Sequence, residues 1–155
     1  MNLWGNPLNW HLVGNYTDER TNTVLGIKFD GAGIYGGAGY VNPLSGLTSP
    51  KLRFNIAATY DIEPFEITVQ SRFIGSARFS PTYVEGVDID RNWIPPVAYL
   101  DLRASYQWNS DFQLYFAIDN TLNTPPAQGA GSQGGLGQIY DELGRALRAG
   151  VRFNT

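Results

Sequence analysis

The sequence has no cysteine and a single histidine, His11, among its 155 residues. The lack of thiols excludes a disulfide framework and a thiolate metal site, and one imidazole leaves little for zinc binding or triad chemistry. We therefore expect no catalytic residues, no cofactor and no metal site, and the chain is not predicted to be an enzyme.

Long apolar runs and clusters of basic residues are also missing. No run approaches the roughly 18 consecutive apolar residues of a membrane-spanning helix. The net charge of -3, without a basic cluster, argues against nucleic acid as a partner. Residues 1–6 have neither the positive region nor the apolar core of a signal peptide. We expect that an exported protein would have lost its signal upstream, or that the chain is a piece of a longer protein.

Six stretches alternate apolar and polar residues and predict strands at 8–16, 51–61, 66–79, 97–108, 112–120 and 145–153. Successive side chains of a strand point to opposite faces, so each predicted strand has one apolar and one polar face. In the second stretch, Leu52 and Phe54 share one face and Arg53 and Asn55 share the other. An arginine on a lipid face near the membrane midplane would cost about 2–4 kcal/mol, so arginines of polar parity are expected to face a wet lumen. These candidates are Arg53, Arg72, Arg78, Arg103, Arg148 and Arg152.

The lengths of these stretches and of their connections favour a membrane wall over a soluble sheet. A tilted membrane strand needs about 9–11 residues, whereas soluble strands usually have about 5–6. Short connections at 61–65 and 109–111 alternate with long ones at 17–50, 80–96 and 121–144, as in an outer-membrane barrel. Aromatic residues gather at the strand ends beside the short turns, which is typical of a membrane interface. They are Trp10, Tyr60, Phe65, Tyr106, Trp108, Phe112 and Phe153.

The predicted fold is therefore all-β, with antiparallel up-and-down transmembrane β-barrel strands. About six strands would leave open edges, which lipid does not tolerate. A further hairpin from Thr23–Asp30 and Gly33–Val41 would give eight strands and a small closed outer-membrane barrel, although the glycines there are more typical of an extended loop. The other open alternative is a soluble β-sandwich that binds a glycan or a protein through Tyr83, Trp93 and Tyr140.

Several segments resemble, in the right order, the C-terminal end of the barrel of TonB-dependent receptors. Ser49–Asp61 (SPKLRFNIAATYD) looks like the strand of this family that descends to a periplasmic turn, and Phe65–Gly75 is similar to the strand that follows it. Tyr83–Asp101 resembles an outer loop that returns into the wall. Leu114–Pro126 (LYFAIDNTLNTPP) and Tyr140–Phe153 (YDELGRALRAGVRF) are similar to the terminal motif pair of the family.

The resemblance implies that residues 1–155 are the C-terminal portion of a barrel of about 22 strands in the outer membrane of a Gram-negative bacterium. Such a receptor imports a scarce nutrient, such as a ferric siderophore or cobalamin, with energy transmitted by TonB. The plug domain and the TonB box of the family are not recognisable here, so we expect that the chain does not transport by itself. The implied partners are outer-membrane lipid, the remaining barrel and plug, TonB through the missing N-terminal region, and the outer-membrane assembly machinery.

The resemblance also suggests roles for individual residues. The six lumen arginines would face the plug. The substrate-side loop candidates are Tyr83, Asp88, Asp90, Trp93 and Tyr140. Asp88 and Asp90 have the spacing that begins a calcium loop, but the glycine and the distal glutamate of an EF-hand are missing, so a solvated loop is expected. Leu147, Val151 and Phe153 match the alternating C-terminal strand that the assembly machinery reads, although Phe153 could equally be only an interface residue.

Overall fold

The alternating stretches form the strands of one antiparallel sheet. The computed structural model describes residues 2–3, 5–34, 49–127 and 140–153, with the backbone alone for residues 2, 3 and 24. The strands are β1 (Asn2–Leu3), β2 (Asn6–Tyr16), β3 (Thr21–Val24), β4 (Ile27–Asp30), β5 (Leu52–Ile62), β6 (Phe65–Ile74), β7 (Ala77–Arg78), β8 (Trp93–Ile94), β9 (Val97–Gln107), β10 (Phe112–Asp119) and β11 (Ala146–Phe153). Among the described residues there is no helix that is long and apolar enough to cross a membrane.

The main sheet follows the order of the chain. Its seven strands run β1-β2-β5-β6-β9-β10-β11, and the two-residue β1 lies at one edge. Every neighbouring pair is antiparallel. This up-and-down order of six long strands confirms the predicted all-β fold class. Within the described residues β1 and β11 do not pair with each other, so the sheet is an open part of a barrel.

The register makes one face of the sheet largely apolar, with an interruption at Ser71, which lies opposite Ile56 and Leu100. Phe54 lies opposite Phe73, and their rings stack with centroids 4.8 Å apart. Leu114 lies opposite both Tyr106 and Val151, so the apolar row continues across β9, β10 and β11. Many of these side chains are exposed, including Leu12 at 67%. A soluble sandwich would bury this face under a second sheet, and the described residues supply no such layer.

The two ends of the sheet differ as the sequence predicts, because short turns lie at one end and long connections at the other. The turn between β9 and β10 is closed by Asn109, whose Oδ1 accepts hydrogen bonds from the backbone N–H groups of Asp111 (2.9 Å) and Phe112 (3.0 Å). Aromatic side chains gather at this end of the apolar face. The centroid distances are 4.9 Å for Phe65 and Tyr106, 6.2 Å for Tyr106 and Trp108, and 4.8 Å for Phe112 and Phe153.

The prediction of one strand over 66–79 is wrong, because β6 ends at Ile74. There the backbone of Gly75 approaches β5 closely, and its N–H donates to the carbonyl oxygen of Leu52 at 2.8 Å. The chain then leaves the main sheet, and Ala77 and Arg78 form β7, which pairs with β8. Alternation would continue the apolar face from Phe73 through Ala77. Instead, Ala77 is buried in a separate hydrophobic cluster, and Phe79 packs against that cluster.

That cluster lies on the polar side of the sheet, at the long-connection end. Val97 and Tyr99 of β9 share a face with Asp101, and Ile74 of β6 lies directly opposite Val97. The segments that follow β6 and β10 fold onto these side chains and bury them. The members of this inner cluster are Ile74, Ala77, Ile94, Val97, Tyr99, Ala127 and Tyr140. The connections therefore pack against the inside of the wall.

Residues 21–30 form a hairpin, but not the one that would close a small barrel. Among the described strands, β3 and β4 pair only with each other, around a turn at Leu25 and Gly26, where both residues have positive φ. Asp30 ends the hairpin and accepts hydrogen bonds from the N–H groups of Arg20 and Ala32, which hold the pKa of its carboxyl below the usual value. The turn predicted around 30–33 is therefore misplaced. Most of the second predicted strand, at 35–41, lies outside the described residues.

We predict that Gly75→Ala destabilises the sheet by about 1–3 kcal/mol, because a Cβ at this position would lie 2.9 Å from the carbonyl oxygen of Leu52. Urea unfolding in detergent micelles measures the change. Gly14→Ala is the matched control, since its Cβ would meet the nearest atom, the Cβ of Phe54, at an ordinary 3.5 Å. Equal stability of the two variants would contradict the prediction.

Candidate functional site on the polar face

Neighbouring strands β6 and β9 place a set of charged side chains together on the polar face. Gln70 lies opposite Asp101, and Arg72 lies opposite Tyr99, so Arg72 and Asp101 are diagonal neighbours. Diagonal positions of an antiparallel pair are about 7–8 Å apart, which a long guanidinium side chain can span. The register of these two strands thus brings opposite charges into contact.

Arg72 and Asp101 form a two-pronged ion pair. Arg72 Nε lies 2.6 Å from Asp101 Oδ2, and Arg72 Nη2 lies 3.0 Å from Asp101 Oδ1. The planar guanidinium matches the carboxylate with two parallel hydrogen bonds, which fixes both orientation and distance. The Asp101 side chain is only 3% exposed, whereas that of Arg72 is 33% exposed. The guanidinium also lies 5.1 Å from the centre of the Tyr99 ring.

The first residues after β10 attach to the same carboxylate. The backbone N–H of Asn120 donates to Asp101 Oδ1 at 2.8 Å. Asn120 is fully buried and has φ of 51°, a conformation that asparagine tolerates better than most residues. Its side-chain amide donates to the carbonyl oxygen of Thr124 (2.9 Å) and accepts from the Thr124 N–H (2.8 Å). This exchange closes residues 120–124 into a compact turn.

The residues before β11 attach to β6 and β9 as well. Asp141 Oδ2 lies 3.4 Å from Arg72 Nη2, and the Asp141 N–H donates to the hydroxyl of Tyr99 at 3.2 Å. Four residues later, the Arg145 N–H donates to Asn123 Oδ1 at 3.0 Å. We call residues 141–145 the strap. Both ends of the connection from β10 to β11 therefore contact the ion pair of Arg72 and Asp101, the first end through Asn120 and the second through Asp141.

The strap and the sheet line an open cavity of about 450 Å³. Its lining carries charges of both signs, and Asp119 at its side forms an ion pair with Arg148 of β11. Tyr140 lies beside the cavity and in the inner cluster, where burial raises the pKa of its hydroxyl to about 12. Carboxylates and guanidinium groups in this arrangement can hold polar partners by hydrogen bonds. The lining includes Gln70, Arg72, Asp101, Arg103, Asp119 and Asp141.

Five of the arginines proposed to face a lumen lie on the polar face of the main sheet. Arg103 donates to Gln70 Oε1 at 3.4 Å, and Arg152 donates to Gln113 Oε1 at 3.2 Å. Arg53 is exposed on β5. Arg72 and Arg148 are in the ion pairs described above. The sixth, Arg78, lies in β7 and not in the main sheet, so it is not part of the same surface.

The loop candidates lie in two separate connections. Tyr83, Asp88, Asp90 and Trp93 precede β9, whereas Tyr140 precedes β11 and is buried in the inner cluster. Asp88 has a local structural contact, because its Oδ2 accepts a hydrogen bond from the Val84 N–H at 2.8 Å. Asp90 and Trp93 are exposed. Contact of these residues with a substrate stays a prediction.

The assembly candidates Leu147, Val151 and Phe153 lie on the apolar face of β11. Phe153 lies opposite Phe112, and their rings meet edge to face. Val151 lies opposite Leu114, and Leu147 lies opposite Ile118. All three candidates are exposed in the described part of the protein, on the strand at the edge of the sheet.

Sequence reasoning did not identify Tyr99, Asp101, Asn120 and Asn123 as a connected group. Asn120 and Asn123 lie in the motif LYFAIDNTLNTPP, which marked the segment without assigning contacts to them. Asp101 meets Arg72 only through the register of β6 and β9, and the long connection between these strands does not set that register. The alternation pattern predicts that both residues lie on the polar face, but it does not predict that they are in contact.

A protein-family model matches residues 1–120 of the chain. The matching family is described as TonB dependent receptor-like, beta-barrel. The matched range includes β1 to β10 and therefore Arg72, Asp101 and Asn120. No curated protein and no solved structure gives a significant match to the chain.

We predict that Asp101→Asn lowers the free energy of unfolding by about 2–3 kcal/mol. The substitution removes the buried carboxylate that binds Arg72 with two hydrogen bonds. Urea unfolding in detergent micelles measures the loss. Asp90→Asn removes an exposed carboxylate and should change the stability by less than about 0.5 kcal/mol. A loss of the same size in both variants would show that the ion pair does not stabilise the fold.

Proposed function

Because the chain belongs to the TonB-dependent receptor-like β-barrel family, we propose that it forms part of the wall of a receptor that imports a scarce nutrient across the outer membrane. Members of this family are outer-membrane transport receptors and not enzymes. The single observation that carries the proposal is the family match over 1–120, on a sheet with one apolar and one polar face.

The proposed orientation places the apolar face in lipid and the polar face toward the lumen. It is supported by the cost of about 2–4 kcal/mol for an arginine near the midplane of the lipid face. The aromatic group at the short-turn end, with Phe65, Tyr106 and Trp108, suits the periplasmic interface of the membrane. The long connections would then lie on the outer side, where a substrate arrives.

We propose that the sheet is a sector of a larger barrel, in which residues 1–155 form the C-terminal portion. Open strand edges carry backbone groups without hydrogen-bond partners, which lipid cannot supply. Pairing of both edges with further strands of the receptor would remove this cost. The segment 140–153, which resembles the terminal motif of the family, supports the C-terminal position. The plug domain would occupy the lumen in front of the polar face.

The exposed guanidinium groups of Arg53 and Arg103 are the best candidates for contacts with such a plug. Arg72 is less suitable, because Asp101 and Asp141 already bind its guanidinium group. We propose a ferric siderophore or cobalamin as the substrate class, with energy supplied through TonB. The family match supports this part of the proposal, and no contact among the described residues bears on it.

Uptake by cells tests the transport proposal. Disruption of the gene that encodes the complete receptor should abolish uptake of one radiolabelled ferric siderophore or of cobalamin. Dissipation of the proton gradient should abolish the same uptake in unmodified cells, since the outer membrane has no energy source of its own.

Re-expression of residues 1–155 alone serves as the control, and it should not restore uptake, because this sector leaves open edges. Uptake that continues after disruption, or after loss of the gradient, would contradict the proposal.

The role of Phe153 in assembly has a matched test, because Phe153 and Phe112 share one ring contact. We propose that the assembly machinery reads Phe153, so Phe153→Ala should lower the amount of receptor in the outer membrane several-fold more than Phe112→Ala does. Fractionation of outer membranes with quantitative immunoblotting measures both amounts. An equal decrease would indicate that Phe153 acts only through its contact with Phe112 at the membrane interface.

A further inference from the structure

Among the described residues, three polar contacts hold the strap at 141–145. Besides the contact of Asp141 with Arg72, the Asp141 N–H donates to the hydroxyl of Tyr99 at 3.2 Å and the Arg145 N–H donates to Asn123 Oδ1 at 3.0 Å. On one side Tyr140 is 4% exposed and packs in the inner cluster. On the other side Ala146 begins β11 and pairs with Asp119. Between them Leu143 is 90% exposed. The strap therefore has anchored ends and a weakly packed middle.

The two carboxylates bound to Arg72 hold it unequally. Asp101 uses both oxygens, at 2.6 and 3.0 Å, whereas Asp141 makes one contact at 3.4 Å. Loss of the Asp141 contact leaves Arg72 paired with Asp101, so no buried charge is left without a partner. Breaking a buried ion pair is costly mainly when it leaves such a charge. Asp141 can therefore separate from Arg72 without leaving Arg72 unpaired, and the backbone pairing of β6 with β9 is unaffected.

The strap is also one wall of the cavity. Asp141, Leu143 and Gly144 line it on the strap side, and Gln70, Arg72 and Arg103 line it on the sheet side. Gly144 has φ of 69°, which lets the chain turn sharply just before β11. An outward movement of the strap would widen the cavity without breaking any pair of strands in the main sheet.

We propose that the strap is a releasable wall of this cavity, closed by the contact of Asp141 with Arg72. Arg72 has two functions in this arrangement. Its contact with Asp101 is permanent and connects β6 to β9, and its contact with Asp141 is reversible and sets the position of the strap. The proposal concerns the motion of this segment and does not depend on the proposed transport of a nutrient.

Hydrogen exchange of the full chain, followed by mass spectrometry, tests the proposal in the Asp141→Asn variant. Exchange of the hydrogen-bonded amides of Asp141 and Arg145 should become about 3- to 10-fold faster, because loss of the charged contact with Arg72 lets the strap open more often. Amides of β9 and of residues 120–124 should keep their rates. Asp119→Asn is the matched control, since Asp119 lines the same cavity but binds Arg148, and it should leave exchange at 141–145 unchanged.

Two results would overturn the proposal. The strap amides could exchange no faster in Asp141→Asn than in the unmodified chain, which would mean that the contact does not hold the strap. Alternatively, the amides of β9 could accelerate as much as those of the strap, which would mean that Asp141 stabilises the whole sheet and not one segment.

A second measurement needs no variant. The contact of Asp141 with Arg72 is partly exposed, so raising NaCl from about 50 mM to about 0.5 M should screen it. Exchange of the Asp141 and Arg145 amides should then accelerate about twofold or more, while exchange of the hydrogen-bonded amides of Asn120 and Thr124 stays constant. Strap amides whose exchange does not respond to salt would count against a reversible ionic contact.

Discussion

The two-residue period of the strand is the constraint on which the rest of the structure depends. Six long strands pair so that most apolar side chains lie beside apolar side chains of the next strand, as Leu12 beside Ile56 and Leu114 beside Val151. Ser71 of β6, opposite Ile56 and Leu100, interrupts one of these rows. A slip of one residue would turn a strand over and move its polar side chains, such as Arg72 of β6 or Arg103 of β9, to the apolar face. If the apolar face lies in lipid, as proposed, each misplaced arginine costs about 2–4 kcal/mol, and this cost determines the register strongly.

The ion pair of Arg72 and Asp101 depends on this register and extends its effect to the connections. It joins two strands that are separated by a long connection, and its carboxylate also accepts the N–H of Asn120 from the following connection. A buried ion pair contributes less to net stability than its short distances suggest, because both charges lose water. Its clearer effect is to give two distant parts of the chain one defined position.

Alternation was sufficient to predict most of the main sheet, because a pattern such as Leu52 to Tyr60 has only one reading as a strand. It failed at Gly75, where the alternation continues formally through Ala77 and Phe79 but the backbone turns away to bury Ala77. It also misplaced the turn of the first hairpin, since Leu25 at positive φ is unusual and carries no turn signal. The pair of Arg72 and Asp101 needed the register of strands that no short turn connects, which is information that a local pattern does not contain.

The inner cluster gives the sheet two mechanical regions. At the long-connection end, Ile74, Val97 and Tyr99 are covered by packed side chains, so the wall is two layers thick there. Toward the short turns it is a single layer. Close-packed interiors have low compressibility, and the bending stiffness of a plate rises steeply with its thickness. A force applied to the sheet would therefore deform the thin half near the short turns, while the end with the long connections keeps its shape.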